Sequence, residues 1–247
     1  MARLLYVVVA VAVFFAVLEL TRPTFRVHES GAILITGAST GIGKHVALHL
    51  VSLGYDVFAS VRKEADGEAL AKEAGSVRMH PIVLDVTKSD QIDAAVKTLT
   101  SFTQQKNVPL VGLVNNAGVT TGGPVEFTDI DAVKKMYDVN VFGLVELTQK
   151  LLPLIRTHQG RIVNVGSVAG KIGMPSTGHY ASSKFAVEGL TDALRRELVG
   201  LGVSVSIIEP AYVSTAIGPK GMYGFDAEQI VLDNRCEQLL SSYNSRG

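Results

Sequence analysis

The chain has 247 residues, of which 47% are apolar and 19% are charged, and its 23 basic residues balance its 23 acidic ones. This composition excludes a largely disordered chain. A formal net charge of zero provides no basic field for nucleic acid, so we expect no nucleic-acid partner. The single cysteine, Cys236, excludes a disulfide framework and a zinc site built on cysteines.

The first segment of the chain is strongly hydrophobic. Residues 4–20 are apolar except for Glu19. As a helix they would cover roughly 25 Å, close to the roughly 27 Å hydrocarbon core of the endoplasmic reticulum. We therefore predict a membrane anchor over residues 1–26; a cleaved signal peptide and a buried core helix are the alternatives. A small excess of arginine after the run favours a cytosolic main domain, residues 27–247, at the endoplasmic reticulum membrane.

The remainder alternates between two hydrophobic patterns. Six short apolar runs are typical of buried strands: residues 32–36, 56–61, 79–84, 110–114, 161–165 and 203–209. Helical patterns fill the intervals, at residues 44–52, 65–74, 90–102, 128–152 and 180–199. This alternation predicts a doubly wound parallel α/β sheet of the Rossmann type, with helices on both faces. After Pro210 no further apolar strand is evident, which predicts either a six-stranded sheet or a chain shortened at its C-terminus.

A glycine-rich turn follows the first strand. It reads Thr36-Gly-Ala-Ser-Thr-Gly-Ile-Gly43 and leads into the first helix. Glycines allow a tight turn and close approach to a pyrophosphate, which the helix N-terminus attracts. The alternative is a plain strand–helix turn, and the missing Gly-Lys-Ser/Thr excludes a triphosphate loop. The predicted phosphate contacts are Gly37, Ser39, Thr40, Gly41, Ile42 and Gly43.

The end of the second strand bears on the choice of dinucleotide. An NAD site usually places an acidic residue there, to bind the ribose 2′-hydroxyl. The sequence instead reads Ala-Ser-Val-Arg62-Lys63, and Arg62 can bind a 2′-phosphate. We therefore predict NADP, with NAD possible. The alternative is that Arg62 and Lys63 form an ordinary solvated loop.

A tyrosine and a lysine lie one turn apart at the start of the last predicted helix. Tyr180 and Lys184 are four residues apart and so share a face. A nearby cation favours the phenolate and lowers the pKa of a tyrosine, which makes proton transfer feasible. Such a pair by itself more often reflects packing and solvation. Ser167, just after the fifth predicted strand, can meet Tyr180 at the carboxyl edge of the sheet.

In combination these motifs resemble the short-chain dehydrogenase/reductase family over about residues 31–217. The features that carry the resemblance occur in the family's order: the glycine-rich stretch from Thr36, Asp85, Asn115–Gly118, Asn140, Ser167, the Tyr180/Lys184 pair, and Pro210 to Thr215. Residues 138–215 are most similar to retinol, hydroxysteroid and hydroxybutyrate dehydrogenase members. One departure is Pro210-Ala211, where the family usually has Pro-Gly.

The resemblance implies roles for four residues. Tyr180 would be the general acid in carbonyl reduction and the base in alcohol oxidation. Lys184 would lower the pKa of Tyr180 and hold the nicotinamide ribose. Ser167 would hydrogen-bond the substrate oxygen, and Asn140 would support a water that links Lys184 to solvent.

Further cofactor contacts are implied in the same way. Asp85 and Val86 would contact the adenine, and Asn116 to Gly118 (with Ala117 between them) the ribose side. Thr215 would contact the carboxamide or a phosphate. Pro210, Val213, Tyr180 and Lys184 complete the predicted cofactor site. No metal is expected.

The expected function is hydride transfer between NADP(H) and a lipophilic alcohol or ketone, such as a retinoid or a steroid, supplied from the membrane. The alternative is a catalytically impaired dinucleotide-binding scaffold that lacks a complete substrate wall. The resemblance also implies a homodimer, formed through the helices that carry Asn140 and Tyr180.

Overall fold

A computed structural model describes residues 6–7, 11–15, 17, 26–211, 213 and 222–223. The predicted anchor, residues 1–26, falls mostly outside this range, and Thr215 and Cys236 lie wholly outside it. Among the described residues, no helix is both long enough and apolar enough to span a bilayer.

The described strands form one large sheet and one short pair. They are β1 (Ala32–Ile35), β2 (Asp56–Val61), β3 (Met79–Val83), β4 (Leu110–Asn115), β5 (Thr120–Thr121), β6 (Arg161–Val165), β7 (Ser204–Ile208) and β8 (Met222–Tyr223). The large sheet has the order β3-β2-β1-β4-β6-β7, and all its strands are parallel. The predicted Rossmann-like sheet of six strands is confirmed for this part of the chain.

Helices connect the strands. They are α1 (Gly41–Ser52), α2 (Glu64–Ala74), α3 (Ser89–Lys106), α4 (Ile130–Tyr137), α5 (Leu144–Thr157) and α6 (Gly178–Leu198). Short 3-10 turns lie at Val125–Phe127, Val168–Gly170 and Val199–Leu201, and a π-helical turn spans Asp138–Gly143.

Both faces of the sheet are covered, and β1 shows how. Leu34 is fully buried in a cluster that includes Leu99 of α3 and Leu151 of α5. Its neighbours Ile33 and Ile35 belong to the cluster on the other face, which α1 and α2 cover. Successive strand residues point to opposite faces, so a continuous apolar run is what a sheet buried on both sides requires.

The prediction of one helix over residues 128–152 was wrong in its detail. The chain forms α4, then the π-helical turn that contains Asn140, then α5. α5 continues through Pro153 to Thr157. Pro153 is exposed, whereas Leu151 and Ile155 on either side are fully buried. Packing of these two side chains holds the helix together across the hydrogen bond that proline removes.

The two-residue strands β5 and β8 were not predicted. Thr120 pairs with Met222 and Thr121 with Tyr223, in parallel. Two residues are too few to produce a recognisable hydrophobic period, so no sequence pattern could reveal them. They place part of the segment beyond residue 210 beside the loop that follows β4.

Candidate functional site

A cleft of about 1010 Å³ opens at the carboxyl ends of the strands. It lies where the chain order of the sheet reverses, between β1 and β4. Open parallel sheets bind ligands at such a crossover, because the connections on either side leave in opposite directions. The carboxyl ends of all six strands of the large sheet supply lining residues, among them Gly37, Ser60, Asp85, Asn116, Gly166 and Pro210.

The glycine-rich turn is closely packed against the loop after β4. Gly37 has φ of +67°, and a Cβ there would lie 2.9 Å from the Cα of Ala117. A Cβ on Gly43 would lie 2.4 Å from Nδ2 of Asn116. Gly43 does not itself line the cleft, so its glycine is required by internal packing. Gly37 must also be glycine because its positive φ disfavours other residues.

Asn116 joins the two loops. Its Nδ2 donates to the carbonyl oxygens of Thr36, at 2.9 Å, and Gly37, at 3.0 Å. The Thr36 hydroxyl accepts in return from the backbone N–H groups of Asn116, at 3.0 Å, and Ala117, at 2.9 Å. Asn116, which was predicted to contact the ribose, thus shapes the glycine turn. It also lines the cleft. Thr36 was not predicted as a site residue.

The start of α1 points into the cleft. Ser39, Thr40, Gly41 and Ile42 all line it. The N-cap residue Thr40 makes no side-chain capping bond within the described structure. The first N–H groups of a helix need acceptors, and an anion provides them. This turn therefore fits the pyrophosphate of a dinucleotide.

The part of the cleft beside the end of β2 carries charges of both signs. Arg62 and Lys63, at the end of β2, line it and are exposed. Lys88 and Asp66 line the same cleft and were not predicted. Asp66 lies in the first turn of α2, beyond the strand end at which an acid would be expected.

The two predicted adenine contacts also line the cleft. Val86 is 5% exposed. One carboxylate oxygen of Asp85 accepts from the backbone N–H of Thr87 at 3.0 Å and from its hydroxyl at 2.8 Å. Asp85 thus shapes its own loop at the mouth of the cleft.

Ser167, Tyr180 and Lys184 converge on the cleft, which all three line. Ser167 caps the 3-10 turn after β6, and its Oγ accepts from the N–H of Ala169 at 3.1 Å. Tyr180, in the first turn of α6, lies close enough to Ser167 for the serine hydroxyl to lower the pKa of the phenol. Nζ of Lys184 lies 5.8 Å from the centre of the Tyr180 ring and donates to the carbonyl of Val165 at 2.8 Å.

Burial dominates the electrostatics of this group. It raises the pKa of the Tyr180 phenol, and the nearby Ser167 hydroxyl opposes that shift. Burial also lowers the pKa of Lys184 to about 8. The predicted lowering of the Tyr180 pKa by Lys184 is therefore not found. The phenol loses solvation that would stabilise its charged form, and the ammonium group is directed at a backbone carbonyl.

Asn140 lies behind the cleft, in the π-helical turn. Its Oδ1 accepts from the N–H of Val119, and its Nδ2 donates to the carbonyl of Val119, each at 2.9 Å. Nδ2 also donates to the Ser183 hydroxyl at 3.1 Å. A Cβ on Gly118 would lie 3.5 Å from Oδ1 of Asn140 and 3.7 Å from Nζ of Lys184, so the amide and the ammonium flank one glycine.

Residues from three further segments complete the lining. Of the predicted contacts, Ala117, Gly118, Pro210 and Val213 line the cleft, and Thr215 lies outside the described residues. Lys135, Asp138 and Val139 line it from α4 and the π-helical turn, and they were missed. A helical pattern reports the face that packs on the core, not the face that borders a cleft.

Comparisons with known proteins agree on the family. The family model for short chain dehydrogenases matches residues 31–221. The mitochondrial D-beta-hydroxybutyrate dehydrogenase of Mus musculus is 41% identical over 182 residues, which are 72% of this chain and 53% of that protein. Retinol dehydrogenase 16 of Homo sapiens is 39% identical over 189 residues, 76% of this chain and 58% of that protein. The chain thus spans little more than half the length of these relatives.

A solved structure gives the same result. The 3-ketoacyl-(acyl-carrier-protein) reductase of Brucella melitensis, complexed with NADH, matches with a TM-score of 0.72 and 27% identity. The match covers 78% of this chain and 79% of that one. From the matched family model, the level of identity and the shared fold, we conclude that this chain belongs to the short-chain dehydrogenase family.

Proposed function

We propose that this protein is an oxidoreductase that transfers a hydride between NADP(H) and a lipophilic alcohol or carbonyl compound. The observation that carries the proposal is the convergence of Ser167, Tyr180 and Lys184 on the cleft into which the glycine turn opens. The nicotinamide dinucleotide supplies the hydride when bound. The protein has to orient the substrate and to supply the proton.

In reduction, the Tyr180 hydroxyl donates its proton to the substrate oxygen. The phenol is protonated at neutral pH and so has a proton to donate, while its raised pKa makes it a weaker acid than an ordinary tyrosine. The Ser167 hydroxyl hydrogen-bonds the same oxygen and stabilises the charge that develops there. Lys184, with a pKa of about 8, is mainly an ammonium ion at neutral pH and holds the cofactor ribose near Tyr180. Asn140 fixes the loop beside Lys184, and the family resemblance assigns it the support of a water that links Lys184 to solvent.

Arg62 supports NADP over NAD. Its guanidinium is exposed at the end of β2, within the cleft, where it can form two hydrogen bonds to a 2′-phosphate. Asp66 in the same cleft could instead accept from a ribose hydroxyl. Turnover measured with NADPH and with NADH decides between the two cofactors.

An apolar rim supports a lipophilic substrate. Val125, Ile172 and Met174 are 62%, 63% and 53% exposed. The loop of Val125 packs against the start of α6, since a Cβ on Gly178 would lie 3.1 Å from Cγ2 of Val125. Gly178 is two residues from Tyr180, so Val125 lies near the start of the helix that carries the proposed proton donor. Exposed apolar side chains near a binding cleft are typical of surfaces that bind apolar ligands.

The experiment is a turnover assay on the full chain, reconstituted in detergent or vesicles. Oxidation of NADPH is followed with retinal, steroid ketones, long-chain ketones and small polar ketones. We expect turnover with the lipophilic compounds. Reduction of small polar carbonyls alone would refute the proposed substrate class. Cofactor binding without turnover on the whole panel would instead support the scaffold alternative.

We also propose that residues 1–26 anchor the domain formed by residues 27–247 to a membrane. The apolar run supports the anchor, and the slight arginine asymmetry supports a cytosolic domain at the endoplasmic reticulum. The hydroxybutyrate relative is mitochondrial by name. Fractionation of cells that express the full chain distinguishes the two membranes, and recovery in the soluble fraction would refute the anchor.

We also propose a homodimer, formed through the helical segments that carry Asn140 and Tyr180. Phe142, beside Asn140, is 61% exposed, and Phe185 on α6 is 47% exposed. Exposed phenylalanines on two helices are typical of a covered interface. Light scattering on the purified protein tests this, and a monomer at micromolar concentration would refute it.

A further inference from the structure

The loop that carries Ser167 folds closely over the carboxylate of Glu188. Oε1 of Glu188 is buried and accepts no hydrogen bond from any described residue. A Cβ on Gly170 would lie 3.1 Å from this oxygen, and a Cβ on Gly166 would lie 3.3 Å from it. Glycines before and after Ser167 thus let the backbone approach the carboxylate more closely than other residues would.

The other oxygen of this carboxylate is held by a lysine of the same loop. Nζ of Lys171 lies 2.8 Å from Oε2 of Glu188 and 3.5 Å from Oε1 of Glu209. The Glu188 side chain is only 12% exposed, whereas that of Lys171 is 54% exposed. A carboxylate that has lost most of its hydration needs a cation, so this pair is fixed more firmly than a surface ion pair.

The ion pair connects the two elements that must align for chemistry. Tyr180, Lys184 and Glu188 are spaced by four residues and share one face of α6. Ser167 meets Tyr180 at one end of this row, and Lys171 meets Glu188 at the other. The loop is also attached to β7, because the N–H of Gly166 donates to the carbonyl of Ile208 at 2.8 Å.

We propose that Lys171 and Glu188 are positioning residues, which hold the Ser167 hydroxyl against Tyr180. This inference rests on the proposed function, since Ser167 must act on the substrate for its position to matter. Neither residue lines the cleft, so we assign neither a direct contact with substrate or cofactor. Their effect passes through the backbone of residues 166–171.

The first test uses turnover. Lys171→Met should lower kcat by roughly 10-fold, because a small displacement of a reacting group is costly. The KM for NADPH should not change, and Lys171→Arg should retain most of the activity. Combined with Ser167→Ala, Lys171→Met should have little further effect, because both changes disable the same hydroxyl. Full additivity of the two changes would overturn the proposal.

The second test does not depend on activity. Amide hydrogen exchange in residues 166–171 should be faster in Lys171→Met than in the wild type, while exchange in β2 stays the same. The control is Lys134→Met, which removes an exposed ion pair with Asp131, 3.0 Å long, on α4. It should alter neither exchange nor turnover. Unchanged exchange in Lys171→Met would refute the positioning role, whereas absence of turnover in the wild type would refute only the proposed function.

Discussion

The ammonium nitrogen of Lys184 lies 5.8 Å from the centre of the Tyr180 ring and donates to the carbonyl of Val165. The lysine thus lies over the ring of the proposed proton donor, while its hydrogen bond fixes it to the end of β6. Because Lys184 is 5% exposed, this arrangement places a cation in a poorly solvated position. The energetic consequence can be measured without a substrate.

The stability of the cofactor-free protein should depend on the ionisation of Lys184. Its pKa is about 8 in the folded chain and 10.5 for an ordinary lysine. Between these values the unfolded chain retains a proton that the folded chain has lost. The free energy of unfolding contributed by this group therefore rises with pH across this window. Below it the group is charged in both states, and its burial destabilises the fold.

Urea unfolding of the wild type and of Lys184→Met at two pH values within this window, one near pH 8 and one just below pH 10, measures the effect. We expect the stability of the wild type relative to the variant to increase at the higher pH. Because the pKa of Tyr180 is raised from its ordinary value of 10, this tyrosine makes the free energy of unfolding fall with pH above pH 10. The comparison therefore stays below pH 10. An equal difference at both values would contradict the inferred burial of the charge.

Removal of the proposed proton donor should abolish chemistry while leaving the fold intact. Tyr180→Phe retains the ring that packs beside Val119 and Met136 but removes the hydroxyl. A general acid contributes about 100- to 10,000-fold, and we expect kcat to fall by that order. NADPH binding, followed by its fluorescence, should be nearly unchanged. Undiminished turnover in the variant would exclude this tyrosine as the acid.

The glycine turn should tolerate no side chain at position 43. A methyl group there would lie 2.4 Å from Nδ2 of Asn116 and 2.5 Å from the carbonyl oxygen of Gly37. We expect Gly43→Ala to lower the thermal unfolding temperature and to weaken NADPH binding at least 10-fold, since the turn must open.

The matched control for this variant is Gly189→Ala. Gly189 is exposed in the middle of α6, and apart from its chain neighbours and its own helix backbone no described atom lies within 4 Å of its Cβ position. Alanine there should stabilise the helix by about 0.5–1 kcal/mol. Equal stability of the two alanine variants would show that the turn is less tightly packed than described.

Cofactor preference should change with the charge at position 62. Arg62→Asp replaces the group that would bind a 2′-phosphate with one that repels it and accepts from a ribose hydroxyl. We expect kcat/KM for NADPH to fall by about 10- to 100-fold relative to that for NADH. Lys63→Ala is the control, with a smaller effect. An unchanged ratio in Arg62→Asp would assign the choice of dinucleotide to another residue, and Asp66 would be the first to examine.

The order of strands and helices could be predicted because it depends on local patterns. Apolar runs such as residues 161–165 and the helical spacing around Leu99 are set by burial on one or both sides, and burial is visible in the sequence. The prediction failed where packing overrode the pattern. Pro153 lies inside α5, and a π-helical turn interrupts the predicted long helix at Asn140.

The sequence predicted which residues line the cleft better than it predicted their electrostatics. Gly37, Ser167, Tyr180 and Lys184 lie around one cleft, as their places at strand ends and helix starts suggested. The electrostatic prediction for Tyr180 was wrong, because a spacing of four residues gives proximity but no information about solvation.

Sequence alone determined the six strands of the large sheet, most of the helices between them, and the edge of the sheet that collects the candidate site residues, because these follow from hydrophobic period and chain direction. Only the tertiary structure decided the sign of the Tyr180 pKa shift, the use of Asn116 to shape the glycine turn, and the pairing of Lys171 with Glu188. Those properties depend on the distance and hydration of groups far apart in the chain. No local pattern records them.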